Sequence, residues 1–188
     1  MTTVLDEREL GEFIDTHYKN AGDRLFRMER LPRYDVPHQS AELERWLAGE
    51  VEPNWQAKQP WLDTLADERQ RGLVSQRVRL FGAQLSADEL RACHWGYALN
   101  NRYEDIRVLH EGEHDIPVGL LCVDYWIVAD TYAVPMRYDS AGRFLGAEVA
   151  PQDRFAEFAR DRDRAWTAAE PFRAWWSRHH ELHRRPAG

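Results

Sequence analysis

The stretch from residue 121 to 149 constrains the fold more than any other part of the chain. Three apolar runs, 121–129, 132–138 and 144–149, follow one another there, divided only by Asp130-Thr131 and by Asp139-Ser140-Ala141-Gly142. Both dividers carry turn chemistry, because Asp and Ser side chains bond nearby backbone and Gly accepts left-handed conformations. Strands joined by such short turns pair antiparallel, so a three-strand meander is predicted.

Upstream, Leu10, Phe13, Ile14 and His17 recur at helical spacing and predict a helix over 6–18. Residues 23–31 alternate, with Leu25, Arg27, Glu29 and Leu31 on one face and Phe26 and Met28 on the other, which predicts a strand. Ser40 is the expected N-cap of a helix over 40–48 that Gly49 stops, and Pro60 is expected in the first turn of a helix that Gly72 ends. Strands follow at 74–81 and 105–109. Between them Ser86 and Glu89 form a capping box that opens a helix carrying Leu90, Cys93, His94, Tyr97 and Ala98. A loop over 110–117 precedes the meander. After it, Pro151 opens a long helix with Phe155, Phe158, Arg162, Ala165, Trp166 and Ala169 on one stripe, and Pro171 breaks or kinks it before a last segment. The class is α+β: N-terminal helices, an antiparallel sheet with a C-terminal three-strand meander, and a long C-terminal helix covering it. The 188 residues suit one globular domain. Its ends, 1–4 and 184–188, are expected to be mobile.

Charge is unevenly spread over the formal total of −7. From Pro151 onward eight Arg face six Asp or Glu, whereas the rest of the chain sets seventeen basic against twenty-six acidic residues. An acidic body repels a phosphate backbone, so direct nucleic-acid binding is not expected, while a basic protein partner is. No run approaches the ~18 apolar residues of a membrane span. The start, Met1-Thr2-Thr3-Val4-Leu5 leading into Asp6 and Glu7, does not resemble a secretory leader. Cys93 and Cys122 are then read as reduced thiols, and a cytoplasmic location is expected.

No Gly-rich phosphate loop, G-x-S-x-G elbow or paired CxxC is present. His179 and His183 are spaced i, i+4, the separation with which two imidazoles on a helix reach one ion, but no third ligand belongs to the pattern. The 110–115 segment, with His110, Glu111, Glu113, His114 and Asp115, is rich in ligand types yet reads as a loop without fixed geometry. His94 follows Cys93 directly, and helical neighbours point about 100° apart, so a core histidine fits better than an activated thiol. Neither a metal nor a cofactor is expected.

Arginines on strands offer the sharper candidate site. Arg77 and Arg79 share one face of their strand, and Arg107 sits similarly between Ile106 and Val108. If the strands are neighbours, three guanidiniums line one surface beside Glu104, Asp105, Tyr103 and Asp124, and a planar fork suits carboxylate or phosphate. Cross-strand salt bridging on a wet face is the plainer reading. Eight tryptophans add a second clue. Trp46, Trp61 and Trp166 lie at core spacing; Trp126, in Asp124-Tyr125-Trp126, is a candidate hot spot.

These stretches resemble an actinobacterial family that carries a domain-of-unknown-function label, the family numbered 6879. The likeness runs from about Leu10 to Trp176 and rests on Arg33-Tyr34-Asp35-Val36-Pro37, Glu104-Asp105-Ile106-Arg107-Val108-Leu109, Asp124-Tyr125-Trp126, residues 138–149, Arg162-Asp163-Arg164-Ala165-Trp166 and Pro171-Phe172. The histidine-rich end and the 110–119 loop depart from it. It transfers no catalytic residues. It implies a role beside helix-turn-helix regulators, as an accessory in transcriptional control or development.

The leading expectation is therefore a non-enzymatic regulatory module that binds a protein partner, a helix-turn-helix regulator first among them. The alternative is an enzyme acting on a phosphorylated or RNA substrate through the Arg/Asp site. A third reading is a small-molecule sensor with an aromatic pocket between the sheet and the final helix.

Overall fold

The computed structural model of the chain describes residues 4–35 and 37–183. The expected mobility of residues 1–3 and 184–188 falls outside them, whereas Val4 is paired in a strand. In chain order the elements are β1 (Val4–Leu5), α1 (Glu7–His17), β2 (Arg24–Glu29), α2 (Pro37–Leu47), α3 (Trp55–Gln70), β3 (Val74–Phe81), α4 (Ala87–Arg91), a π-helical turn (Ala92–Tyr97), α5 (Ala98–Asn100), β4 (Asp105–His110), β5 (Tyr125–Val128), β6 (Tyr132–Tyr138), β7 (Phe144–Glu148), α6 (Phe155–Ala168), β8 (Glu170–Pro171) and α7 (Phe172–Arg178). The fold is α+β. No helix among the described residues is long and apolar enough to cross a membrane.

One sheet runs in the order β1-β7-β6-β5-β2-β3-β4-β8. The meander β5-β6-β7 is antiparallel as its turns predict. The remainder corrects the expectation of an antiparallel sheet. β2 pairs parallel with β3, and β3 parallel with β4, so the sheet is mixed. The reason lies in the connections: α2 and α3 separate β2 from β3, and the α4–α5 helix separates β3 from β4. A helical crossover returns the chain to the same end of the sheet, which makes the next strand parallel.

Helix ends differ from expectation for local reasons. Ser40 lies inside α2 instead of capping it. α3 starts at Trp55, because the Asn54 side chain accepts the N–H groups of Gln56 and Ala57, and Pro60 falls within the helix. Asp6 with Glu9, and Ser86 with Glu89, form complete capping boxes. α6 stops at Ala168 ahead of Pro171, and α7 stops at Arg178, so His179 and His183 do not share one helix.

Each face of the sheet has its own cover. Phe26, Met28, Val78, Leu80, Leu109, Tyr125 and Ile127 point one way and pack on Phe158 and Ala165 of α6. The other face is apolar at its two sides only. At one, Leu25, Val128, Val134 and Met136 meet Leu10 of α1 and Tyr18; at the other, Phe81, Ile106 and Val108 meet Cys93, Phe172 and Trp175. Between these two clusters the strands present charge.

Candidate functional site

Side chains alternate across a strand, so Arg27 and Glu29 of β2 share a face, as do Ser75, Arg77 and Arg79 of β3. The parallel register sets Arg27 beside Arg77 and Glu29 beside Arg79, which brings three guanidiniums together under the helical cover. Arg27 and Arg79 are buried, at 5% and 2% exposure. Charge removed from water in this way needs partners. Arg27 donates to Glu104 at 2.7 Å, Arg77 to Glu104 at 3.1 Å and to Glu29, and Arg79 to Glu89 at 2.9 Å and to the Leu31 carbonyl. Tyr97 donates to Glu29 at 3.1 Å. Burial alone would push the Glu29 carboxyl up, but the charges of Arg77 and Arg79 hold it below the usual carboxylate range. Aromatic rings supply the rest of the packing: Arg27 lies over Trp126 at 5.0 Å and Arg77 over Tyr97 at 5.5 Å.

Above this ionic layer lies a cavity of about 560 Å³. Arg77 and Arg79 form part of its floor. Asp124, Trp126 and Tyr138 come from the meander, Lys58 and Trp61 from α3, and Tyr97 from the π-helical turn. An extra residue in a helical turn resets the phase of the residues beyond it, and here the turn buries Cys93, Trp95 and Tyr97 together.

Two groups at the cavity differ from the paired floor. Asp124 accepts the Arg30 N–H at 3.0 Å and the Tyr34 hydroxyl, which itself accepts from Arg79 at 3.2 Å. Burial pushes the Asp124 carboxyl up to about 6, against the lowering effect of the Tyr34 bond. The Lys58 amine makes no ion pair or hydrogen bond among the described residues, and burial pushes it down to about 8. The segment bearing Tyr34 rests on the 139–142 turn: the Asp35 N–H donates to the Gly142 carbonyl at 3.0 Å, and Gly142 has φ +85°.

The residues singled out from sequence are placed in two different parts of the sheet. Arg77, Arg79, Asp124 and Trp126 come together. Arg107 does not join them, although β3 and β4 are neighbours, because Arg107 stands beside Val78 in the register while Ile106 and Val108 stand beside Arg77 and Arg79. It points to the opposite face, lies 4.3 Å over the Trp166 ring and donates to the carbonyls of Trp166 and Ala169. Asp105, exposed, lines with Arg107 a second hollow of about 530 Å³. Tyr103, in the 101–104 turn, lines neither hollow.

Trp126 is half-buried in the cavity wall and is not a surface anchor, and among the large hydrophobics Trp55 is the exposed tryptophan, at 41%. Arg27, Glu29, Glu89 and Tyr34 complete the ionic layer; of these, Arg27 and Glu29 carry a local signal, the alternation of charge on one strand face that also marks Arg77 and Arg79. Sequence reasoning also misses Lys58, although a signal exists: it is one of only two lysines in a chain rich in arginine. Cys93 and Cys122 are free thiols, and burial pushes the Cys93 thiol up, away from reactivity. His94 bonds the Leu182 carbonyl at 3.1 Å, as a core histidine would.

No curated protein matches the chain. Residues 12–177, most of its length, match the family described as a domain of unknown function, DUF6879, and the chain belongs to that family.

Proposed function

We propose that this chain is a non-enzymatic accessory module whose primary event is the reversible binding of a small molecule in the cavity over β2 and β3. One observation carries the reading: a space of about 560 Å³, walled by Trp61, Trp126 and Tyr138, in which the Lys58 amine makes no hydrogen bond or ion pair among the described residues and feels Glu42 and Glu104 only at longer range. Ligand sites commonly combine an apolar, aromatic wall with a few polar groups that fix orientation. The arginines of the floor are neutralised by Glu29, Glu89 and Glu104, and Arg91 in the wall by Glu42 and Asp88, so among the described cavity residues Lys58 is the cation without a bonded carboxylate. The ligand class is a planar molecule with one carboxylate or phosphate. Occupancy would be read by a protein partner. The acidic balance of the chain suits a basic helix-turn-helix regulator, and an actinobacterial, cytoplasmic setting is part of the same proposal.

The test is native mass spectrometry of the protein purified from an actinobacterial host, beside Lys58→Met and Trp126→Ala. A co-purifying small molecule that both variants lose supports the reading. An empty protein whose melting temperature is indifferent to a panel of aromatic acids and phosphates refutes it.

A second reading, an enzyme, is favoured by one further observation. Asp124 and Lys58 line the same cavity with protonation equilibria pushed toward neutrality from opposite sides. Groups so tuned are typical acid and base partners. Chemical change of the bound molecule, abolished by Asp124→Asn with binding retained, distinguishes it.

A further inference from the structure

The two histidine-bearing segments, far apart in sequence, meet in space. His110 ends β4, Glu113 lies in the turn after it, and His179 caps the C-terminal end of α7. His110 Nδ1 lies 2.6 Å from Glu113 Oε1, and His179 Nε2 lies 2.7 Å from the same oxygen. All three ligand atoms fall within 4.8 Å of one another.

The hydrogen inventory of this contact points to a cation. His179 Nδ1 lies 2.7 Å from the Trp175 carbonyl, an acceptor only, so Nδ1 carries the ring hydrogen. In the neutral ring Nε2 then presents a lone pair to a carboxylate oxygen that also has only lone pairs to offer. A metal ion between them removes that conflict, and a backbone carbonyl holding the distal nitrogen is the usual outer support of a metal-binding histidine. The carboxylate is oriented in the same sense. Arg178 holds Glu113 Oε2 at 3.0 Å, which turns Oε1 toward the two rings. On the other side the His110 N–H donates to His114 Nδ1 at 3.0 Å and fixes the start of the turn.

From this geometry we propose that His110 Nδ1, His179 Nε2 and Glu113 form a site for one divalent first-row metal ion of borderline hardness, Zn2+ being the reference case. Two imidazoles and a carboxylate are a common donor set for such ions and leave a position open to water. Tetrahedral ligands at ~2.0 Å from the metal stand about 3.3 Å apart, so the present contacts open by under about an ångström on loading. The ion ties α7 to the end of β4. The site is independent of the cavity and does not include His180 or His183.

The test uses the full chain without an affinity tag, stripped with chelator and titrated with Zn2+ and Co2+ by calorimetry and visible absorption. One equivalent is expected to bind, with Co2+ giving the absorption of a low-coordinate site. Glu113→Gln and His179→Ala should each weaken binding at least tenfold, whereas His180→Ala/His183→Ala together should leave it unchanged. Because His179 also bonds α7, the near-isosteric Glu113→Gln guards against a folding artefact, checked by its unchanged melting curve without metal. Absence of binding overturns the site in favour of a hydrogen-bonded clamp with a doubly protonated His179. Binding that survives Glu113→Gln and His179→Ala but is lost with His180 and His183 overturns it as adventitious uptake by the histidine-rich end.

Discussion

Arg77 grips Glu104 with both its Nε and an Nη nitrogen, at 3.1 Å each to Oε1, while the same Nη nitrogen reaches Oε2 at 3.3 Å. Glu104 is wholly buried, and its Oε1 also takes Arg27 at 2.7 Å and the Ser75 hydroxyl at 3.3 Å. One carboxylate therefore serves two buried cations. Removing one member of a buried ion cluster strands the others, at a cost of about 3–5 kcal/mol. Glu104→Ala is expected to lose that much in urea unfolding. Glu12→Ala, which breaks the exposed, solvent-screened Arg8–Glu12 pair, should leave the urea midpoint essentially where it is.

Asp124 gives a signature in pH. Its folded carboxyl titrates at about 6, above the ordinary value of ~3.9. The folded state thus holds the proton more tightly than the unfolded chain. That contribution is fully present below pH ~4 and is lost as pH rises through about 6. Relative to Asp124→Asn, the native protein should lose stability between those values, by about 1–3 kcal/mol. Chemical denaturation of both proteins at pH 4.5, 6 and 7.5 reads the difference, and parallel curves would remove the shift.

Lys58 gives a signature in reactivity. An amine that titrates at about 8 is half neutral at pH 8, whereas an ordinary lysine has roughly 1 in 250 of its amines neutral there. With Lys19 as the other lysine, a limiting dose of an acylating reagent followed by peptide mapping compares the two directly. Lys58 is expected to be modified first, with half-reaction near pH 8. Preference for Lys19 would show that Lys58 is shielded or conventionally charged.

Gly142 supports the site from outside it. A Cβ there would stand 2.4 Å from the Arg33 carbonyl oxygen, on a backbone with φ +85° that L side chains rarely adopt. Gly142→Ala should therefore cost about 1–3 kcal/mol and push back the segment bearing Tyr34. Since Tyr34 bonds Asp124, the substitution should also shift the titration of Asp124 and with it the pH dependence of stability, a readout that a uniform loss of stability does not supply.

The meander, the Ser86–Glu89 capping box and the strand carrying Arg77 and Arg79 were legible in the sequence because each is written locally, in a turn, a cap or a period-two alternation. The face of Arg107 was not. Alternation places it relative to its own neighbours Ile106 and Val108, but only the register against β3 decides which face it shares with Arg77. The parallel pairing was equally hidden, since helical connections fix direction and not partner. Trp126 shows the same limit for packing: its pattern marks it as unusual, and only assembly shows that it faces a cavity. The meeting of Glu113 with His179 joins segments 66 residues apart, a distance over which no spacing rule operates.

The ionic layer over β2 and β3 has a consequence for how this protein responds to temperature. Exposing hydrocarbon on unfolding raises heat capacity by about 0.45 cal/mol/K per Å², whereas exposing polar surface lowers it by about 0.26. Arg27, Arg79, Glu89, Glu104 and Asp124 occupy places that a common core fills with aliphatic side chains. Unfolding this chain should therefore raise the heat capacity by less than its size implies, giving a broad, shallow stability curve. Ion hydration also becomes less favourable on heating, so the layer holds best where a hydrocarbon core has no further strength to add.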